Sequence, residues 1–411
     1  MVRPAVCAYT FFMVSTRHHS LRHTRAPMPL PENVVLVLQG GGALGAFQAG
    51  AYEQLAAQDV EPDWIAGISI GAINAAIIAG NPPGEERMRK LRYFWQKVSG
   101  GMPNYWLPNN DHIREAAHLA AAGAVAMFGV PGFFRPHMMP VSWMPHGSKE
   151  AISFYDTAPL ADTLNQLVDW DRLNNGPMRL SVGAVDVENG NFVYFDTHGT
   201  SCGKADNYRL DARHIMASGA LPPGLPPVEI DGRYYWDGSI VSNTPLAHVI
   251  ENQCGKDMLV FQVDLFPAAG PMPQEMTDVG SRLEDIQYSS RTRQVTDLYL
   301  EVRREQNAVR AVLAKLPPEM MDDPDVVKLR GMLGDEGALN IVHLIYRSRE
   351  WESGARSFEF SRSAMLDHWV QGMEAVDGVM HKGDLIARNI VDGSTATFDL
   401  DRPDHLKEKK A

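Results

Sequence analysis

Between Asn33 and Ala79 the chain repeats one local plan twice: a short apolar run, a turn built on glycine, then a helix-compatible stretch. The first run, Asn33-Val34-Val35-Leu36-Val37-Leu38, is β-branched and continuous rather than alternating. That is the pattern of a strand covered on both faces, as in a parallel sheet. Gly40-Gly41-Gly42 breaks the run, and from Ala43 onward Leu44, Phe47, Ala51 and Leu55 recur on one helical face. After a turn at Glu61-Pro62-Asp63, the second run Trp64-Ile65-Ala66-Gly67 passes through Ile68-Ser69-Ile70-Gly71 into the apolar helix Ala72–Ala79. Strand, turn and helix repeated in this order specify an α/β chain with a parallel sheet.

Two motifs compete for this stretch. Gly40-Gly41-Gly42-Ala43-Leu44-Gly45 satisfies the dinucleotide fingerprint, with Gly at positions one, three and six between strand and helix. That fingerprint also needs an acid at the end of the second strand to hold a ribose. Here Glu61 and Asp63 precede the strand, and it ends in Gly67-Ile68-Ser69. The second motif, Gly67-Ile68-Ser69-Ile70-Gly71, is a Gly-x-Ser-x-Gly between strand and helix. A nucleophile on so sharp a turn needs neighbours without side chains, which leaves its Oγ projecting from the sheet. The helix that follows aims N–H groups and a positive dipole end at an oxyanion formed beside Ser69. The glycines at 40–42 then acquire a different use, turning backbone N–H groups toward the same point, with Gly41 and Gly42 as the donors.

A serine hydroxyl needs an adjacent base. Asp231-Gly232 between two short β-prone runs reads as a hairpin turn, and Asp237-Gly238-Ser239 closes its second strand. Spacing alone does not decide whether Asp237 is catalytic or structural. His248, His198 and His214 keep a serine–histidine–aspartate arrangement open.

Taken together, Gly40–Gly45, Gly67–Gly71 and Asp237-Gly238-Ser239 resemble the patatin-like phospholipase family. Ala217-Ser218-Gly219-Ala220-Leu221-Pro222 ahead of the third motif, and Asn243-Thr244-Pro245-Leu246 after it, are similar too. The resemblance covers roughly residues 33–265. It implies a three-layer fold with a central, mostly parallel sheet flanked by helices. It also implies a lipid acyl hydrolase with a Ser-Asp dyad, no catalytic histidine and no cofactor. Carried over residue by residue, Ser69 is the nucleophile and Asp237 the general base. Gly40, Gly41 and Gly42 line the oxyanion hole, and Gly45, Gly67, Gly71 and Gly238 support the motifs. Two positions depart from the family pattern: Leu44 stands where Arg or Lys is frequent, and Ser239 where Gly or Ala is usual. Tyr234, Tyr235 and Trp236 offer Asp237 an apolar pocket that would raise its pKa toward working pH.

The rest of the chain bears on organisation and partners. A basic leader, expected to be disordered, spans residues 1–31; it has no small-residue cleavage site and so reads poorly as a secretory signal. A catalytic domain at 32–267 follows, then a mainly helical C-terminal extension at 268–400 and a charged tail at 401–411. Within the catalytic domain, residues from about 100 to 146 collect methionines, aromatics and prolines. They suit either a satellite core or an apolar cap that adapts to acyl chains. The formal charge of −12 excludes a basic nucleic-acid-binding face and weakens any electrostatic membrane anchor, leaving hydrophobic, peripheral contact. Trp64–Gly80 and Leu119–Phe134, 17 and 16 residues without a charge, fall short of the roughly 20 apolar residues a membrane span needs. Three scattered cysteines give neither a disulfide framework nor a thiolate metal cage, and no metal site is expected. The expectation is a cytoplasmic enzyme acting on lipid or other acyl esters. A catalytically silent lipid-binding protein and a glycine-loop nucleotide binder are the alternatives, and oligomeric state is not legible.

Overall fold

The computed structural model describes residues 26–101, 111–199, 206–274, 276–333, 337–348, 352 and 355–399. Residues 1–25 of the basic leader, Met102 and Trp106 of the expected cap, and the tail from 400 lie outside the described residues.

The continuous apolar run becomes strand β1 (Asn33–Leu38), buried over five of its six residues. It lies near the middle of a sheet because neighbours on both sides cover its backbone. β2 (Trp64–Gly67) pairs with it in parallel on one side and β9 (Met258–Asp264) on the other. Beyond β9 the sheet continues in parallel through β10 (Leu339–Ile345) to β11 (Ala396–Phe398), so strands of the C-terminal region extend the same sheet. Beyond β2 comes β5 (Arg179–Asp186), again parallel, and there the sheet turns antiparallel. β6 (Phe192–Asp196) pairs with β5 over 181–185, and the hairpin β7 (Val228–Ile230) and β8 (Arg233–Asp237) pairs with its far end. The hairpin turns on Asp231 and Gly232, both at positive φ, as the Asp-Gly pair predicts. Strands β3 (Arg135–Pro136) and β4 (Tyr155–Asp156) form a separate ribbon.

Helices cover both faces, which is why the parallel strands read as unbroken apolar runs. On one face α1 (Gly45–Ala57) and α2 (Ile70–Ala79) carry Phe47, Leu55, Ile73 and Ile77 into a core shared with Leu36, Leu38 and Ile65. The long C-terminal helix α11 (Arg362–Met380) packs tightly along α1: a β-carbon at Gly372 would come within 2.0 Å of the Phe47 carbonyl oxygen. The other face packs Val35, Val37 and Trp64 against Leu246 and Val249 of α8 (Leu246–Glu251), and against Val295 and Tyr299 of α9 (Met276–Leu313). The result is a three-layer α/β fold with a mostly parallel sheet and a largely helical C-terminal region.

No helix among the described residues is long and apolar enough to cross a membrane. No group of three or more His, Cys, Asp or Glu among them could hold a metal ion. Cys254 is disulfide-bonded, a linkage that the scattered cysteines do not announce in the sequence.

Candidate active site

The register of β5 brings the two distant motifs together. β2 pairs with the first half of β5, ending at Gly67 opposite Val182, whereas β8 pairs with the second half, with Asp237 opposite Ala184. β6 occupies the other edge of β5 over those residues, so β2 and β8 must share one edge. The C-terminal ends of β2 and β8 therefore abut, and Ser69 follows one while Asp237 closes the other.

Ser69 sits at the N-cap of α2 with φ 55° and ψ −123°, a left-handed region that costs a non-glycine residue free energy. The Gly67 and Gly71 predicted to flank it are needed for close backbone crossing. A β-carbon at Gly67 would meet the Gly71 carbonyl oxygen at 2.5 Å, and one at Gly71 would meet that of Leu38 at the same distance. Ser69 donates its N–H to the Ser218 hydroxyl at 3.0 Å, at the end of α7 (Ala212–Ser218), and remains partly exposed.

Asp237 is buried, with 1% of its surface exposed. Its Oδ1 accepts the Ser239 N–H at 2.8 Å, but its Oδ2 is buried without a well-formed hydrogen bond among the described residues. Burial pushes the carboxyl up to about 6, against the opposing pull of the Ser239 N–H and the Ser69 side chain. The expected aromatic pocket is corrected in detail. Strand alternation turns Tyr234 outward, where it is 43% exposed and reaches Glu229, while Tyr235 packs on Phe195. Asp237 is instead enclosed where the strands cross: a β-carbon on the adjoining Gly238 would meet the Gly183 carbonyl oxygen at 2.7 Å and the Ile68 side chain at 3.3 Å.

The glycine loop lies against Ser69, since a β-carbon at Gly40 would come within 3.0 Å of Ser69 Cβ. Asn243 brackets Gly40 on both sides, donating Nδ2 to its carbonyl at 3.0 Å and accepting its N–H at 3.4 Å. Gly41 and Gly42 donate no such backbone bond among the described residues. Gly42 needs its own residue type, at φ 57°. Gly45, next in the motif, lets α1 approach Ile70 at the start of α2. Beneath the loop, Gln39 accepts the Leu265 N–H and donates to Thr244, and Gln48 donates to the Gln39 carbonyl. Ser218, Asn243 and Gln39 were not singled out by sequence reasoning. The signal for the first two lay in the Ala-Ser-Gly and Asn-Thr-Pro stretches already noted.

The three candidate histidines sit elsewhere. His248 bonds Asp196 at 3.2 Å, stacks on Tyr194 and packs edge-on against Trp64, at the start of β2 rather than its end. His198 meets Thr197, and His214 closes the capping box of α7 with Asp211. The acids a nucleotide would need are also occupied: Glu61 pairs with Arg87 at 2.7 Å, and Asp63 accepts the Val34 N–H.

The apolar insertion divides. Phe133 and Phe134 are buried against Phe360 and Tyr155, whereas Met127, Phe128, Met138, Met139, Trp143 and Phe154 are exposed. A shallow cleft of about 600 Å³ there is lined by Met138, Met139, Val141 and Phe154, with neither Ser69 nor Asp237 in its wall. Phe154 and Tyr155 donate their N–H groups to Gly224, beside the segment 219–221 that passes Ser69.

Comparison with known proteins follows the same lines. A family model described as patatin-like phospholipase matches residues 36–250, and a second, described as patatin phospholipase, matches 286–390. A search of curated protein sequences returns no match. Among solved structures, VipD from Legionella pneumophila aligns at 16% identity and TM-score 0.36, over 94% of this chain and 77% of that one. Human GIVD cytosolic phospholipase A2 aligns at 11% identity and TM-score 0.42, over 88% of this chain and 60% of that one. The type III effector ExoU aligns at 13% identity and TM-score 0.30, over 87% of this chain and 55% of that one.

Proposed function

This chain belongs to the patatin-like phospholipase family, and on that premise we propose that it is a lipid acyl hydrolase working through Ser69 and Asp237. The single observation that carries the mechanism is the pairing of a partly exposed serine on a left-handed strand-to-helix turn with a buried carboxylate whose Oδ2 has no other well-formed partner. With its carboxyl pushed up to about 6, Asp237 is ionised at neutral pH yet basic enough to take a proton.

In this reading Asp237 Oδ2 accepts the Ser69 hydroxyl proton as Oγ bonds to the acyl carbon. The carbonyl π electrons move onto oxygen, where the Gly41 and Gly42 N–H groups hold the negative charge, with Gly40 shaping the loop. Collapse of that intermediate breaks the ester C–O bond, and Asp237 returns the proton to the departing alcohol. Water then repeats the sequence on the acyl-enzyme: Asp237 takes its proton, the fatty acid leaves, and Ser69 recovers its own. No histidine, metal or cofactor takes part. Leu44, where the family frequently has Arg or Lys, offers no cation of its own to orient an anionic head group. The exposed Met127, Phe128, Met138 and Trp143 suit peripheral contact with a lipid surface.

A fluorophosphonate serine probe tests the reading, applied to wild type, Ser69→Ala and Asp237→Asn under conditions where the wild type hydrolyses a fatty-acyl ester. Wild type is expected to label once, and Ser69→Ala not at all. Equal labelling of Ser69→Ala would remove Ser69 from the mechanism.

A further inference from the structure

We infer that Arg356 is a positioning residue for this site: its ion pair with Asp285 holds the turn 355–361 against the glycine loop and so fixes the Gly41 and Gly42 donors. The inference rests on the serine-hydrolase reading and extends it into the C-terminal region, where no motif points to chemistry.

The two donor glycines are pressed between two walls. A β-carbon at Gly41 would come within 2.6 Å of Leu265 Cδ1, at the end of β9. One at Gly42 would come within 2.1 Å of the Ser357 carbonyl oxygen, in a turn more than three hundred residues further along the chain. The direction in which these N–H groups aim is therefore set by how firmly residues 265–266 and 355–361 are held.

Arg356 touches both walls. It is itself in the second, and its guanidinium lies over the ring of Phe266, 5.9 Å from the centroid, in the first. Phe266 also packs against Tyr288 of α9, with ring centroids 4.7 Å apart. The guanidinium is 4% exposed and ion-pairs with Asp285 of α9, which is 8% exposed. The far end of the turn is tied as well: Glu359 meets His118 of α4 (Asp111–Phe128) at 3.2 Å and accepts the Ser361 N–H at 3.1 Å.

A buried ion pair adds little stability over an apolar pair of the same size, because desolvation offsets its attraction. What it does supply is a defined geometry, from a planar donor set that accepts few orientations. Arg356 Nε and Ser357 Oγ are buried without a hydrogen-bond partner among the described residues. Displacement of a catalytic group by about 1 Å can cost about a hundredfold in rate.

The test compares wild type, Arg356→Lys and the double variant Arg356→Met/Asp285→Leu, which removes both charges of the pair together; Glu284, which also feels the Arg356 charge, and Arg282, 4.0 Å from Asp285, keep theirs. Ester hydrolysis is measured per Ser69 titrated by the fluorophosphonate probe. The double variant is expected to keep about one titratable Ser69 per chain and a KM within about twofold, while kcat falls at least about tenfold. Arg356→Lys, keeping the cation, is expected to recover part of the loss. A double variant with wild-type kcat per titrated site would overturn the inference, as would a rate loss fully matched by lost titratable sites. A wild type that hydrolyses no ester would instead overturn the serine-hydrolase reading, and the positioning role with it.

Discussion

Two buried aspartates flank the same strand, and their surroundings are opposites. Asp196 ends β6 and pairs opposite Ser181 near the start of β5; Asp237 ends β8 and pairs opposite Ala184 towards its other end. Asp196 is saturated: it accepts from Arg179 at 2.7 Å, Ser181 at 2.6 Å and His248 at 3.2 Å. Burial alone would push its carboxyl up, but these partners outweigh burial and hold it below the usual carboxylate range. Asp237 has one firm donor and a bare oxygen, and burial wins. The arrangement that most resembles a histidine–aspartate relay is thus the structural one, while the under-satisfied carboxylate is the one suited to move a proton.

The sharpest way to break this comparison is to neutralise each acid in turn. Asp237→Asn, like Ser69→Ala, is expected to lower kcat by about a thousandfold or more, since either change removes one half of the proposed dyad. Asp196→Asn is expected to leave kcat per folded molecule near wild type. It should instead cost about 3–5 kcal/mol of stability, because Arg179 and His248 lose a buried partner. Steady-state ester hydrolysis and denaturant unfolding read the two effects separately. An Asp196→Asn protein that is stable but inactive would reverse the assignment.

The same contrast fixes the sign of the stability change with pH. The folded pKa of Asp237 is raised above its unfolded value, so its contribution is fully present below about pH 4 and is lost as pH rises through about 6. Asp237→Asn should therefore unfold later than wild type at pH 8, by up to about 3 kcal/mol. Asp196, held low, contributes stability above its unfolded value that is lost as pH falls through its folded pKa. Unfolding of wild type and Asp237→Asn at pH 8 and pH 5 checks the first sign, and unfolding of wild type and Asp196→Asn at pH 5 and again below pH 3.8 checks the second. A destabilised Asp237→Asn at pH 8 would mean the carboxylate is better satisfied than its bare Oδ2 indicates.

Much of the site is legible in the sequence because crowded backbone leaves glycine behind. Gly67, Gly71 and Gly238 stand where a β-carbon would strike another strand or turn; the first two frame Ser69 by their spacing, whereas Asp237 is singled out only by the family resemblance. What cannot be read there is adjacency. Nothing in the pattern of β5 says that β2 and β8 share one of its edges. The alternation that sends Tyr234 outward follows from a register visible only in the sheet. Ser218, Asn243 and Arg356 are ordinary residues until their neighbours are known. Likewise, the apolar run of β10, Leu339–Ile345, does not by itself say that it lies beside β9.

A smaller effect sharpens the acid assignment by titration. If Asp237 takes the serine proton, kcat/KM must rise with pH as that carboxyl ionises and level off above about 6. Below that value the rate is expected to fall about tenfold per pH unit, because only the ionised fraction is active. The measurement is confined to the range where Asp196 stays ionised and the fold intact, checked by circular dichroism at each pH. A profile flat down to pH 4 would require a base with an ordinary carboxylate pKa and would exclude a buried Asp237 in that role.

The smallest expected change is the most discriminating between a dyad and a triad. His248 lies with its Nε2 on Asp196 and its ring against Tyr194 and Trp64, and Trp64 is three strand steps, or roughly 10 Å, from the end of β2 that delivers Ser69. His248→Gln keeps a hydrogen-bonding side chain of similar reach, so kcat is expected to stay within about twofold of wild type and stability to drop by about 1 kcal/mol. A triad histidine would behave otherwise, since its loss removes the base itself and costs several orders of magnitude. Retained activity in His248→Gln together with abolished activity in Asp237→Asn leaves a carboxylate as the group that takes the serine proton. Loss of activity in His248→Gln without loss of fold would move catalysis to the Asp196 end of β5 and overturn the Ser69–Asp237 dyad.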